Sequence, residues 1–407
     1  MMLPQINISD IDYNLPNEKI ALFPLADRDQ SKLLVYQNNT ITDANFSHLS
    51  DFIDENYALI FNDSKVIHAR LLFENIHGAK IEVFLLEPVY PTSDIASAFS
   101  QTGVVVWKCL IGNAKKFRNI ISFEVMIGTL EKETMIRVTA EKGDREGETF
   151  LVTFRWEDDT VSFAEWVETY GKMPLPPYIK REANEADEVR YQTVYAQQKG
   201  SVAAPTAGLH FSNTVLQSLK NKNIPLKNIT LHVGAGTFKP ITTDSVVDHK
   251  MHQEKIIVSK DTVDFLLENK QKKIIAVGTT VARTLESLFI MGAKLYLNMP
   301  SPFSVKQFEF YENSNLRKVS VENALTALSN YFKENNLFEI SADTSLMILP
   351  NYPHKITKGL ITNFHQPKST LLLLISSYLG EEWRSVYNHA LLNNYRFLSY
   401  GDSNLYL

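Results

Sequence analysis

The stretch K-I-I-A-V-G-T-T-V-A-R, residues 273–283, changes character at its middle. Its first five residues, K-I-I-A-V, have the apolar texture of a buried strand. Gly278 breaks the run, Thr279 or Thr280 can cap a helix, and a helical pattern continues to about Met291. A buried strand that turns at once into a helix is half of a βαβ unit. The same alternation extends on both sides. Upstream, Ser212 can cap a helix from Asn213 to about Lys222 that carries Val215, Leu216 and Leu219 on one face. I-T-L-H-V (229–233) reads as a strand and Asp261 to Asn269 as a helix. Downstream, G-L-I-T-N-F (359–364) reads as a strand, Ser369 caps a helix from Thr370 to Leu379, and Gly380 stops it. Strands alternating with helices predict an α/β fold with a mostly parallel sheet. Residues 296–340 do not resolve into this pattern and read as an insertion.

Between about Val66 and Trp156 the texture is different. Short β-rich runs such as A-K-I-E-V-F-L-L, V-V-V-W-K-C-L-I and T-F-L-V-T-F-R-W follow one another, separated by Gly, Asn, Asp and Lys clusters. Many short strands at close spacing predict a small barrel or sandwich. The expected organisation is a larger α/β domain, residues 1–65 and 157–407, with a small β-barrel-like domain, 66–156, inserted into it.

Composition narrows the function classes. A chain of 407 residues with 44% hydrophobic and 21% charged residues is ordinary for a globular protein. A formal charge of −5 argues against general electrostatic binding of nucleic acid and leaves room for a local basic groove. The single cysteine, Cys109, lies in a strand-like run and is expected to pack in a core, which fits a reducing, cytoplasmic setting. Neither a signal peptide nor a membrane-length apolar run is seen.

In open α/β sheets, ligands bind beyond the carboxyl ends of the strands. Three polar turns stand at such ends: H-V-G-A-G-T-F-K-P (232–240), V-G-T-T-V-A-R (277–283) and N-F-H-Q-P-K-S-T (363–370). A fourth, G-S-V-A-A-P-T-A-G-L-H-F (200–211), is small-residue-rich, admits close backbone approach, and holds Thr206 and His210. Together they can wall one cleft. The G-A-G turn, with Gly234 and Gly236, is not a dinucleotide fingerprint, because Lys239 and Pro240 stand where the third glycine and the helix belong. Gly278, Thr279 and Thr280 open a helix, where free N–H groups attract an anion, and Arg283 can clamp the same anion or lie on the surface. His365, Lys368, Ser369 and Thr370 start a helix that is apolar all round, so its polar end is rigidly anchored. D-H-K-M-H-Q-E (248–254) lacks the H-E-x-x-H spacing, so no metal is expected, and His252 and Glu254 suit acid–base work. G-K-M-P-L-P-P-Y-I-K-R (171–181) and R-Y-Q-T-V-Y-A (190–196) interleave Arg181, Tyr191, Gln192 and Thr193. Such a segment can bind nucleic acid or serve as a stiff crossover with a solvated face, and composition favours the crossover.

Beyond these turns, Y-N-L-P-N-E-K-I-A (13–21), F-N-D-S-K-V-I-H-A-R-L (61–71), M-P-L-P-P-Y-I (173–179) and Y-R-F-L-S-Y-G-D (395–402) are distinctive. With G-S-V-A-A-P-T-A-G-L-H-F, L-H-V-G-A-G-T-F, M-H-Q-E, V-G-T-T and L-I-T-N-F-H-Q-P-K-S-T-L, the chain resembles the S-adenosylmethionine:tRNA ribosyltransferase-isomerase family of queuosine biosynthesis. It departs from that pattern at Val281-Ala282 and at Gln366. The resemblance implies a cytoplasmic two-domain transferase that consumes S-adenosylmethionine as co-substrate, uses no metal, and acts as a monomer. Its partner would be a tRNA with a GUN anticodon carrying 7-aminomethyl-7-deazaguanine at the wobble position. The ribosyl part moves to that base, epoxyqueuosine forms, and adenine and methionine leave. The sulfonium acidifies C5′, so a base is needed; His210, His232, His252 and Glu254 are the candidates. Gly278–Thr280 or Arg283 would take the methionine carboxylate, and Asn363 or Asp63 the ribose hydroxyls. A paralogous enzyme with another acceptor and a non-catalytic RNA-binding protein are the alternative readings.

Overall fold

The computed structural model describes every residue except 1, 2, 4, 76, 130, 131, 232–240, 242 and 252; the side chains of 96, 129 and 132 are likewise not described. At its centre is a seven-stranded sheet. Its order is Leu226–Ile229, Tyr57–Asn62, Lys273–Val277, Thr357–Asn363, Ser403–Tyr406, Lys32–Gln37 and Thr40–Asn45. Four of the six pairings are parallel; the 357–363/403–406 pair and the terminal hairpin are antiparallel. Every residue of Tyr57–Asn62 is buried, as are Ile274–Val277. These central strands are covered on both faces, which is why they read as continuous apolar runs rather than alternating ones.

The unit that opened the sequence reading forms as expected. Lys273–Val277 is a strand, and Thr279–Tyr296 is a helix whose buried face includes Val281, Leu285, Leu288 and Phe289. Ser212 caps Asn213–Asn221 and Ser369 caps Thr370–Leu379, each accepting from the backbone N–H three residues on. Of the strand expected at 229–233, residues 232 and 233 lie outside the described residues; a strand runs over Leu226–Ile229. It is an edge strand, so Lys227 and Asn228 are tolerated on its open side and the apolar signal is weak there. Residues 296–340 are not featureless. They hold the helices Glu309–Glu312, Ser314–Lys318 and Val321–Glu334, and Leu325, Leu328 and Phe332 join the main core. In a small sheet the central strand Glu339–Thr344 pairs with Glu254–Ser259 on one side and Ser304–Val305 on the other.

The second large element is a six-stranded antiparallel, barrel-like sheet. Its order is Arg70–Glu74, Lys80–Tyr90, Val104–Gly112, Thr149–Trp156, Lys132–Glu146 and Ile120–Thr129. It has a core of its own, where Trp107, Cys109, Phe154 and Trp156 meet Phe163 and Trp166 of the helix Phe163–Tyr170. Trp107 stacks on Phe163 with ring centroids 5.3 Å apart. Burial of Cys109 pushes its thiol pKa up, so it acts as a small core hydrophobe. Among the described residues, no helix is long and apolar enough to cross a membrane.

Candidate active site

A solvent-open cleft of about 820 Å³ lies beyond the carboxyl ends of the central strands. Its walls come from three of the four predicted turns: Ala203–Ala207, Val277–Val281 and Thr362–Gln366 with Ser369. The fourth turn, with His232, Gly234 and Gly236, lies outside the described residues, as does His252.

Each wall is held by a local device. Gly278 has φ of 104°, a conformation that L side chains rarely adopt, and it swings the chain from strand into helix. Its N–H donates to Ile361 O at 2.8 Å, and its carbonyl accepts the first helical bond, from Ala282 N. The N–H groups of Thr279, Thr280 and Val281 precede that bond and have no acceptor within the helix. They face a cleft whose described lining contains no Arg, Lys, Asp or Glu. The Thr206–His210 turn sits on Tyr195 and Thr193. A Cβ on Gly208 would stand 2.0 Å from the Tyr195 hydroxyl oxygen and 2.8 Å from Thr193 Cγ2, so only glycine lets the turn lie this low. Leu398, a bulky residue at φ of 69°, closes the far side, a strain of roughly 1–3 kcal/mol that the surrounding contacts must hold.

The centre of the polar network is Asn363. Its Nδ2 donates to Leu398 O at 3.2 Å, which fixes the amide orientation, because a carbonyl only accepts. The same Nδ2 lies 3.0 Å from His210 Nε2, so that nitrogen accepts. His210 Nδ1, 2.9 Å from Ser31 Oγ, therefore carries the proton of the neutral ring. Burial, with the Arg396 and Arg28 guanidiniums nearby, lowers the His210 pKa to about 3. Both ring nitrogens are occupied and the imidazole is neutral. His210 thus links Ser31 to Asn363 and orients the Asn363 amide. What remains is Asn363 Oδ1, a buried acceptor without a partner in the protein, on the cleft wall. His365 also lines the cleft. Its Nε2 is 2.9 Å from Thr362 Oγ1, and burial lowers its pKa to about 3. The His365 main chain is clamped on both sides: Tyr387 Oη accepts from His365 N–H at 3.1 Å, and Tyr13 O–H donates to His365 O.

Comparison with known proteins places this arrangement. The profile of the family described as queuosine biosynthesis protein matches residues 8–406. The S-adenosylmethionine:tRNA ribosyltransferase-isomerase of Halothermothrix orenii is 37% identical over 410 residues, 99% of this chain and 100% of its own length. That of Trichlorobacter lovleyi is 35% identical over 404 residues, 98% of this chain and 99% of its own. A solved S-adenosylmethionine tRNA ribosyltransferase from Thermotoga maritima is 25% identical and covers 98% of this chain and 100% of that one, with a TM-score of 0.46. The chain belongs to the queuosine biosynthesis protein family.

In this family member, several predicted site residues are spent elsewhere in the fold. Arg181 makes a two-pronged ion pair with buried Asp187, at 2.6 and 2.8 Å, and lies over the Phe23 ring. Burial alone would raise the Asp187 carboxyl, but hydrogen bonds from Arg181, Tyr400 and the Asn184 N–H carry it net below the usual range. Tyr191 is fully buried in the same cluster. Gln192 clamps Val66 in both directions, accepting from its N–H at 3.0 Å and donating to its carbonyl at 2.8 Å. Thr193 is buried beneath Gly208. The R-Y-Q-T-V-Y-A segment therefore acts as a foundation for the 200–211 wall. Arg283 donates from one nitrogen to both Glu254 oxygens at 2.7 Å, and neither residue lines the cleft. Asp63 accepts from Thr230 at 2.8 Å, and burial raises its pKa. Lys368 pairs with Asp12 at 3.1 Å, and Thr370 is the first residue of its helix. Those brought together on the cleft are Thr206, Gly278, Thr279, Thr280, Asn363, His365 and Ser369.

Sequence reasoning missed Tyr178 and Ser399, which meet at 2.5 Å on the cleft wall, and Asn62. Asn62 accepts from Leu231 N and donates to Leu231 O, both at 3.1 Å. It thereby fixes the residue before His232. All three lie inside distinctive motifs, but nothing local separates a wall residue from a buried one.

Proposed function

We propose that this chain is an S-adenosylmethionine:tRNA ribosyltransferase-isomerase. It moves the ribosyl moiety of S-adenosylmethionine onto 7-aminomethyl-7-deazaguanine at the wobble position of a GUN-anticodon tRNA and releases adenine and methionine. The observation that carries this reading is the end-to-end match to the family, residues 8–406, with relatives at 35–37% identity over nearly the whole chain.

The cleft suits the co-substrate. A sulfonium cation meets no Lys or Arg among the described lining residues, so its binding is not opposed by like charge. The N–H groups of Thr279–Val281 suit the methionine carboxylate, reinforced by the dipole of an 18-residue helix. Asn363 Oδ1 suits a ribose hydroxyl, which would satisfy an acceptor otherwise buried without a partner. In the reaction a base removes a C5′ proton made acidic by the adjacent sulfonium, the bond from the sugar to adenine breaks, and adenine takes up a proton. The neutral aminomethyl nitrogen bonds to the sugar and gives up one proton. The C5′–sulfur bond breaks as the epoxide closes, and methionine leaves as a neutral thioether, with one net proton released. His210 supports this chemistry by positioning Asn363. His232 and His252 remain the proposed proton-transfer groups, and Glu254 is proposed to act through Arg283 rather than on the substrate.

The test is adenine release. Incubated with S-adenosylmethionine and tRNA bearing 7-aminomethyl-7-deazaguanine, the protein should release one adenine per modified tRNA. Absence of adenine with that tRNA would remove the catalytic reading and leave RNA binding alone.

A further inference from the structure

Beside the cleft lies a second, shallower pocket, lined in part by His210, that spans about 270 Å³ together with the solvent it opens to. It shares Ser399 with the main cleft, and His210, which lines it, is bonded to Asn363 of the cleft wall. Arg28, Arg190 and Arg396 all line it. Three guanidiniums in so small a space are unexpected in a chain of net charge −5. Their protein partners account for few of their donors. Arg28 gives one hydrogen bond, to Gln192 O at 3.1 Å, and Arg190 gives one, to Ala26 O at 2.5 Å. The Arg190 Nε is buried and has no partner. Of the three, only Arg396 has a carboxylate partner among the described residues, Asp402 at 3.1 Å. A guanidinium has five N–H donors, so Arg28 and Arg190 keep most of theirs for something else. The neighbouring Asp29 offsets Arg28 only in part: its carboxylate accepts from Ser212 Oγ at 2.6 Å, and its charge works against the larger lowering of the Arg28 pKa by burial and Arg190. The crowding is also felt electrostatically. Burial and then the charge of Arg190 lower the Arg28 pKa, and Arg396 and Arg28 add to the burial that lowers His210.

We infer that this pocket binds a phosphodiester of the RNA substrate, next to the nucleotide whose base enters the cleft. The inference rests on the proposed function for the identity of the RNA. An oxyanion with several acceptor atoms would satisfy the open guanidinium forks of Arg28 and Arg190 and relieve their mutual repulsion. The competing occupant, the co-substrate's carboxylate, already has the Thr279–Val281 N–H groups, inside the cleft that would hold the sulfonium. Backbone anchoring of this kind sets register on the nucleic acid without reading sequence.

The experiment measures equilibrium binding of tRNA to the full-length protein by filter retention over a series of salt concentrations, alongside KM for S-adenosylmethionine. Arg190→Gln should weaken tRNA binding by roughly tenfold and make the log Kd against log salt slope shallower by about one. KM for S-adenosylmethionine should stay within about twofold, since the Arg pocket is outside the cleft. Arg190→Lys, which keeps the charge, should recover most of the salt slope, and it serves if the glutamine variant does not fold. An unchanged tRNA Kd and salt slope in both Arg190→Gln and Arg28→Gln would overturn the inference. So would a rise in KM for S-adenosylmethionine with tRNA binding intact, which would assign the pocket to the carboxylate. Because binding is read without turnover, this outcome is independent of whether wild-type protein releases adenine.

Discussion

The cleft and the arginine-lined pocket next to it, which meet at Ser399, are opposites. The larger is lined by alanines, threonines, a helix N-terminus and the unpartnered Asn363 Oδ1, with no charged side chain among its described residues. The smaller is lined by three arginines. A wall of a few side chains separates a place suited to a sulfonium cation from a place suited to a polyanion. His210 stands there as a neutral ring, because burial first and then the charges of Arg396 and Arg28 disfavour its protonation. The contrast gives each histidine of the site a reason. His210 is bonded at both ring nitrogens and His365 at Nε2, and burial keeps both rings neutral.

The largest effect that would sharpen this contrast is expected at Asn363. Replacing Asn363 by Ala removes the open acceptor and the donor that orients His210, and kcat/KM for adenine release should fall by about 10²–10³. A fall of less than about threefold would show that the open acceptor does not meet the substrate. Next in size is Gly208→Ala, whose added methyl must displace Tyr195 and Thr193. A cost of about 1–3 kcal/mol is expected from denaturant unfolding, as for other overpacked sites. Activity should suffer as well, since the displaced turn carries Thr206.

The pH dependence of stability tests the neutral-ring argument. Burial lowers His210, His354 and His365 each to about 3 from 6.5. Between those values the unfolded chain binds protons that the folded one does not. Stability should therefore be level above pH 6.5 and decline as pH falls below it, by up to about 1.4 kcal/mol per pH unit for each ring. His354 lies outside the cleft, bonded to Thr357 at 3.0 Å and Ser377 at 2.8 Å. His354→Gln should flatten the decline between pH 6.5 and 5 by one proton, and an unchanged slope in urea titrations would count against the neutral rings. The smallest effect is expected at Lys368. Its ion pair with Asp12 is half exposed, so Lys368→Ala should change stability by less than about 1 kcal/mol. KM for S-adenosylmethionine should not move, because Lys368 does not line the cleft.

How much of this was legible in the sequence depends on the range of the interaction. Ser369 capping Thr370–Leu379 and Gly278 between a strand and a helix are local chemistry, and they stand where they were read. The β-rich runs of 66–156 likewise became six antiparallel strands, because turn residues bound each run. The site's polar wiring was not legible. Asn363 and His210 are 153 residues apart, and Ser31 is 179 from His210. For Arg181 the sequence left an RNA contact and a solvated crossover face open, because a solvated arginine and one folded back on Asp187 have the same local signature. Glu254 read as an acid–base group because its partner Arg283, 29 residues on, comes from another element. The Arg pocket draws one residue from each of three distant segments, so no charge run announced it.

The division of labour across His210 is tested most directly by one crossed measurement. KM for S-adenosylmethionine and Kd for modified tRNA are determined on wild type, Asn363→Ala and Arg190→Gln. The account predicts that Asn363→Ala impairs the S-adenosylmethionine parameters and leaves the tRNA Kd alone, while Arg190→Gln does the reverse. If both substitutions move the same constant, the two cavities serve one ligand and the account is contradicted.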